Sequence, residues 1–297
     1  MARIILHEVG PRDGLQMEGQ VVPIEKKEAW IRGLMDSGVD IVQVGSFVHP
    51  EKVPQMADTD ELFRRLAGKK SPVILSALVL NEKGLERGLA CGVDMFCMGA
   101  SASDTHSRKN TGMESAEAAR RIIGMAKAAA AAGRKVQVSV QSAFGCGFEG
   151  AVDEERVLAV ARAYLEAGLR SISLADTAGH AHPAQVERLF GALFRMDEGV
   201  ECACHFHNTY GLGMANIFAA MRAGATSFET SCAGLGGCPF TKVAAGNVAT
   251  EDFVWALRRQ GLRRDVNLAS LIGIARGVAA HFGREMPGFV YKIQEGA

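Results

Sequence analysis

Three observations predict an α/β fold of the (β/α)8 TIM-barrel class with a short C-terminal helical appendage. A junction of helical segment, Gly and short β-rich run recurs seven times between Gly38 and Gly224, at a mean spacing of about 31 residues, one strand plus one helix. The opening run Ile4-Ile-Leu-His-Glu8 adds an eighth strand. Polar residues able to do chemistry collect at the C-terminal ends of these runs, the end at which such barrels carry their active sites.

In chain order, the β runs after the opening strand are 40–44, 73–77, 94–98, 135–140, 171–174, 201–205 and 226–230. Gly38, Gly68, Gly92, Gly133, Gly168, Gly199 and Gly224 precede them. A Gly just past a helix end takes the left-handed cap conformation that other residues resist. Residues 115–132, with an Ala run, are rich in strong helix formers. Segments 153–167 and 183–194 open with acidic, His or Pro residues suited to a first helical turn. A doubly wound open sheet is the rival architecture, but Gly10-Pro-Arg-Asp-Gly14 stands where its Gly-x-Gly-x-x-Gly turn belongs. The chain reads as a single catalytic domain, 1–297. The barrel covers about 3–262, and a C-terminal helix (268–282) and tail occupy 263–297.

Composition narrows the function classes. The 297 residues carry 33 Lys+Arg against 33 Asp+Glu, and zero net charge argues against nucleic acid as the main partner. At 48% apolar and 22% charged residues the chain is neither disordered nor fibrous. No stretch approaches the ~18 uncharged apolar residues of a membrane span, and the first residues turn polar too soon for a signal peptide. Seven cysteines without a secretory signal read as free thiols in the cytoplasm.

His205 and His207 lie two apart on a strand, so both imidazoles face the barrel mouth. With Asp13 arriving at the same rim, two imidazoles and a carboxylate form a metal site that leaves positions open for substrate or water. Its nitrogen and oxygen donors suit Mg²⁺, Mn²⁺ or Co²⁺ better than structural zinc. Cys202 and Cys204 alternate with the histidines and read as small buried hydrophobes. After strand 8, Ala233-Gly-Leu-Gly-Gly-Cys-Pro-Phe240 reads as a mobile or ligand-hugging loop carrying Cys238. Asn247 fits either a carbonyl ligand to the metal or a cap for the helix starting near Thr250. Arg12 fits a fixed cation beside substrate charge as well as a salt bridge to Glu8 or Asp40.

Taken together, Glu8-Val-Gly-Pro-Arg-Asp-Gly-Leu-Gln16, the His-x-His pair, the 233–239 cysteine loop and Gly246-Asn-Val-Ala-Thr-Glu-Asp252 resemble the 3-hydroxy-3-methylglutaryl-CoA lyases, metal-dependent TIM-barrel enzymes. The resemblance spans roughly 5–262. The cysteine loop is its most specific part, because relatives that condense acyl-CoA with 2-oxoacids lack it. The resemblance implies a divalent metal, Mg²⁺ or Mn²⁺ first, held by Asp13, His205, His207 and Asn247. It implies Arg12 as stabiliser of an enolate thioester, Cys238 on a loop closing over substrate, and Asp176 in the acid/base network. Arg12, Gln16 and Gln43 form the substrate-facing set, and the general acid is His205 or Cys238. The implied reaction is retro-Claisen cleavage of an acyl-CoA thioester to acetyl-CoA and acetoacetate, with a homodimer as one candidate assembly.

The chain departs from the family at Gln43, where Glu is usual, and at Met17-Glu18-Gly19, where Asn-Glu-Lys-like residues are usual. Both departures bear on the acyl group. A lyase for a different 3-hydroxyacyl-CoA, or a related condensing transferase, is therefore the alternative.

Overall fold

A computed structural model describes residues 3–68, 71–237 and 246–293. Eight parallel strands close on themselves in sequence order: β1 (Ile5–Glu8), β2 (Ile41–Ser46), β3 (Ile74–Leu78), β4 (Met95–Ser101), β5 (Lys135–Gln141), β6 (Ser171–Asp176), β7 (Glu201–Phe206) and β8 (Ser227–Thr230). The ring closes where β1 pairs with β8, Ile5 opposite Ser227 and Glu8 opposite Thr230. Around it run α1 (Ile24–Asp36), α2 (Thr59–Leu66), α3 (Glu82–Ala90), α4 (Asp104–Thr111), α5 (Ser115–Ala131), α6 (Glu154–Glu166), α7 (Pro183–Met196), α8 (Gly213–Ala223), α9 (Thr250–Arg259) and α10 (Leu268–Phe282). The predicted (β/α)8 barrel is the observed one.

Local chemistry sets the helix starts. Asn81, Ser103, Asp153 and Asn267 cap α3, α4, α6 and α10, each side chain accepting a first-turn backbone N–H. Six of the seven junction glycines have positive φ, from 73° at Gly133 to 107° at Gly224. Gly199 does not. There α7 ends in an extended Asp197, whose Oδ1 accepts the Gly199 N–H at 2.8 Å and makes the turn without a left-handed residue. The short helix α4, inserted between β4 and α5, is absent from the sequence reading, because its eight residues are too polar to show an apolar stripe.

Strand alternation divides the core. Outward-facing residues such as Leu6, Val42, Phe96 and Phe228 pack with the helices in one large cluster. Inside the barrel, Ile41, Met95 and Cys97 pack with Ile5, Ile74 and Leu78 as an apolar plug. Nearer the C-terminal rim the inward positions turn polar: His7, Gln43, Ser76, Gln137, His205 and Glu229 are all buried. Cys202 and Cys204, pointing the other way, belong to the large outer cluster. Among the described residues no helix is long and apolar enough to cross a membrane.

Candidate active site

The first functional group stands on a tight turn. Beyond β1 the chain enters one π-helical turn, Gly10–Gly14, opened by Pro11, which has no N–H to leave unpaired. A single carbonyl, that of Val9, accepts the N–H groups of Arg12 at 3.1 Å and Asp13 at 2.7 Å. This winding turns Arg12 and Asp13 inward over the barrel. Gly14 lets the turn pack down, since a Cβ there would lie 2.6 Å from Leu235 Cβ.

Asp13 meets the end of β7. His205 Nε2 lies 3.9 Å and His207 Nε2 4.0 Å from Asp13 Oδ2. The two rings are 5.0 Å apart between centroids, so both do face the same side. Donor atoms of Asp13, His205 and His207 all lie within 4.8 Å of one another. Asn247 completes the group: His207 and Asn247 form an isolated antiparallel bridge, and Asn247 Nδ2 donates to Asp13 Oδ2 at 2.9 Å and to Leu235 O at 3.1 Å. Gly246 allows this approach, because a Cβ on it would lie 2.4 Å from the Gly234 carbonyl oxygen. Asn247 is not a helix cap; α9 begins after Ala249, with no side-chain cap bond.

Arg12 joins neither of its two candidate salt bridges. Glu8 is satisfied by the N–H groups of Gly10 (2.8 Å) and Cys232 (2.9 Å) and by the Thr250 hydroxyl (2.6 Å), while Asp40 pairs with Arg3 and Arg263. Arg12 instead donates from Nη1 to Asp13 Oδ1 at 2.5 Å and from Nε to Gln43 Oε1. Gln16 lies half-buried just beyond the same turn. Asp176, buried at the end of β6, accepts the Ala181 N–H at 3.2 Å through Oδ1, while Oδ2 has no hydrogen-bond partner. Cys238 lies outside the described residues.

The electrostatics favour a cation. Burial opposes ionisation of Asp13, but the charges of Arg12, His205 and His207 and the Asn247 hydrogen bond outweigh it and hold the carboxyl well below its usual range. Burial, with His205 alongside, pushes His207 down to about 4, so it offers a neutral nitrogen. His205 goes the other way. Burial lowers it, but the contact with Glu229 and the charge of Asp13 raise it above its ordinary value. Burial lifts Asp176 to about 7.

The donor set fits a divalent ion: an ionised carboxylate, a neutral imidazole, a second imidazole and a buried amide oxygen, Asn247 Oδ1, that has no hydrogen-bond partner. Among the described residues the metal-ligating group holds Asp13, His205 and His207 and no thiolate, which leaves room for substrate oxygens. Two residues of this centre had no role in the sequence reading. Glu229 contacts His205, and Gln137 donates to Glu229. Their signal was only that of polar residues at inward positions near the rim of β8 and on β5.

A barrel with a cation-ready cluster on its C-terminal rim, a guanidinium beside it and a glycine-rich segment next to Asn247 defines a metal-assisted TIM-barrel enzyme. The HMGL-like family pattern matches residues 3–278, and the chain belongs to that family; it is an enzyme of the lyase type. It is 36% identical over 285 residues to a hydroxymethylglutaryl-CoA lyase of Bacillus subtilis, covering 96% of this chain and 95% of that protein. Identity to the (R)-citramalyl-CoA lyase of Chloroflexus aurantiacus is 35% over 301 residues, covering 98% and 95%. A solved structure of an HMG-CoA lyase from Acinetobacter baumannii, in complex with coenzyme A and 3-methylmalate, superposes with a TM-score of 0.92 at 34% identity, covering 99% of this chain and 96% of that one.

Proposed function

We infer that this enzyme cleaves 3-hydroxy-3-methylglutaryl-CoA to acetyl-CoA and acetoacetate with a divalent cation, Mg²⁺ or Mn²⁺, held by Asp13, His205, His207 and Asn247. The observation that carries this reading is the convergence of Asp13, His205 and His207 within 4.8 Å on the rim of a barrel of this family. The relatives named above, a hydroxymethylglutaryl-CoA lyase, an (R)-citramalyl-CoA lyase and an HMG-CoA lyase solved with coenzyme A, support an acyl-CoA substrate.

In the reaction the C3 hydroxyl loses its proton, the C2–C3 bond breaks with its electrons passing into the thioester, and C2 takes up a proton. A cation bound at this site would polarise the hydroxyl and lower its pKa. Arg12, fixed on two sides by Gln43 and Asp13, presents a permanent positive charge where the thioester oxygen becomes an enolate. Asp176, with a pKa near 7 and one unpartnered oxygen, is suited to accept the hydroxyl proton and release it afterwards. Nε2 of His205 would be taken up by the cation, and its Nδ1 lies 3.1 Å from Glu229 Oε2. The proton for C2 is therefore assigned to the Cys238 thiol. The tail supports treating 1–297 as one catalytic unit, since the Gly288 N–H donates to Ala233 O at 3.0 Å, beside the loop after β8.

A second reading concerns the acyl group. Gln43 gives Arg12 a neutral partner where a carboxylate would compensate its charge, which favours a substrate that brings more negative charge of its own. Product analysis decides between them. Metal-loaded protein incubated with 3-hydroxy-3-methylglutaryl-CoA should release acetyl-CoA and acetoacetate in equal amounts. Cleavage of another 3-hydroxyacyl-CoA alone would transfer the assignment to that substrate, and no cleavage of any would remove it.

A further inference from the structure

We propose that Glu229 is the positioning residue of the metal centre: it fixes the tautomer and tilt of His205, and Gln137 holds Glu229 in place from across the barrel. The proposal rests on the metal reading of Asp13, His205 and His207 and adds to it a residue that touches neither cation nor substrate.

The placement follows from the sheet. His205 on β7 and Glu229 on β8 are register partners, so their side chains leave adjacent strands on the same inner face. His205 Nδ1 lies 3.1 Å from Glu229 Oε2. A carboxylate at this distance favours the tautomer with its proton on Nδ1, which leaves the Nε2 lone pair facing Asp13 and His207. The opposite tautomer would put an N–H where a metal has to bind and set a nitrogen lone pair against a carboxylate oxygen.

Glu229 is itself oriented. Its other oxygen, Oε1, accepts from Gln137 Nε2 on β5, across the barrel interior. Each carboxylate oxygen therefore faces a partner nitrogen, and rotation of the carboxylate would move it off both. The neighbouring interior groups do not compete: His7 Nε2 bonds Ser76 Oγ at 2.9 Å, and Gln43 serves Arg12. His207 has no such support: among the described residues its only carboxylate contact is through Nε2, to Asp13. The two imidazoles are thus unequal, one anchored through a carboxylate and one held by its backbone bridge to Asn247.

The test is Mn²⁺ affinity, measured by calorimetry on the metal-stripped full chain, with thermal unfolding alongside as a check on folding. Glu229→Ala should raise the Mn²⁺ Kd by ~10–100-fold. Glu229→Gln, whose amide oxygen can still accept from Nδ1, should raise it less. Gln137→Leu should fall between wild type and Glu229→Ala. A role confined to barrel stability would lower the unfolding temperature and leave the Kd within about twofold, which overturns the proposal. If Glu229→Ala does not fold, Glu229→Gln decides, and a Kd equal to wild type overturns it. Wild-type protein that binds no Mn²⁺ removes the metal reading and this proposal with it, whereas wild-type binding with unaffected variants removes this proposal alone.

Discussion

Arg12 divides its guanidinium between Asp13, a charged partner, and Gln43, a neutral one. In the function proposed above, that asymmetry ties Gln43 to substrate choice. Gln43→Glu would supply a buried countercharge to Arg12, and kcat/KM for 3-hydroxy-3-methylglutaryl-CoA should rise about 10-fold if the interaction is worth ~1.4 kcal/mol in the transition state. Steady-state kinetics of both proteins at equal metal occupancy measure this, and an unchanged ratio shows that the amide serves as well as a carboxylate. His207→Ala should abolish Mn²⁺ binding, because a neutral buried imidazole is lost from the proposed ligand set of Asp13, His205, His207 and Asn247. Much at this scale was legible in the sequence. The two-residue spacing of His205 and His207 fixes a common face whatever the strand's exact ends. The partners of Arg12 and Glu229 were not legible, because they depend on how a π turn winds and on the register between β7 and β8, which no local pattern encodes.

At the scale of elements, the segments bearing the site are tied together by buried carboxylates. Glu8, at the end of β1, joins the π turn through Gly10, the β8 loop through Cys232 and the start of α9 through Thr250. Glu251, one residue on, accepts the Ala233 N–H at 3.0 Å. Burial lifts Glu251 from its ordinary 4.5 to about 8. A carboxyl whose folded-state pKa is raised contributes stability that is full below about pH 4.5 and is lost as pH rises toward 8. Glu251→Gln, permanently neutral, should therefore flatten the pH dependence. The fall in unfolding temperature between pH 5 and 8.5 should be smaller than in wild type by roughly 3–6 °C. Parallel melting curves test this, and identical slopes would show that Glu251 does not titrate in that window. Gly246→Ala would disturb the same junction. Its Cβ would collide with the Gly234 and Gly236 carbonyl oxygens and displace Asn247, so Mn²⁺ affinity should fall at least 10-fold. The need for a Gly before Asn247 is invisible in sequence without knowing which loop packs over it, although Asn247 itself was legible there as a candidate ligand.

For the whole molecule, the repeat of about 31 residues was enough to give the barrel, because eight strand–helix units have few ways to bury both faces of a parallel sheet. The barrel then fixes the site's location, since β1, β7 and β8 are neighbours only when the sheet closes. What the repeat left out, α4 and the turn at Gly199, lies where local hydrogen bonding rather than periodicity sets the path. A metal held between β1 and β7 would stabilise the folded form by mass action: at 100 times its Kd, Mn²⁺ should add ~2.7 kcal/mol and raise the unfolding temperature by several degrees, and His207→Ala should cancel that rise. The most direct test is an anomalous-difference map from crystals of the full chain grown with Mn²⁺. With the cation in this triad, one strong peak is expected ~2.0–2.3 Å from Asp13 Oδ2, His205 Nε2 and His207 Nε2. Density elsewhere, or none at saturating Mn²⁺, would contradict it.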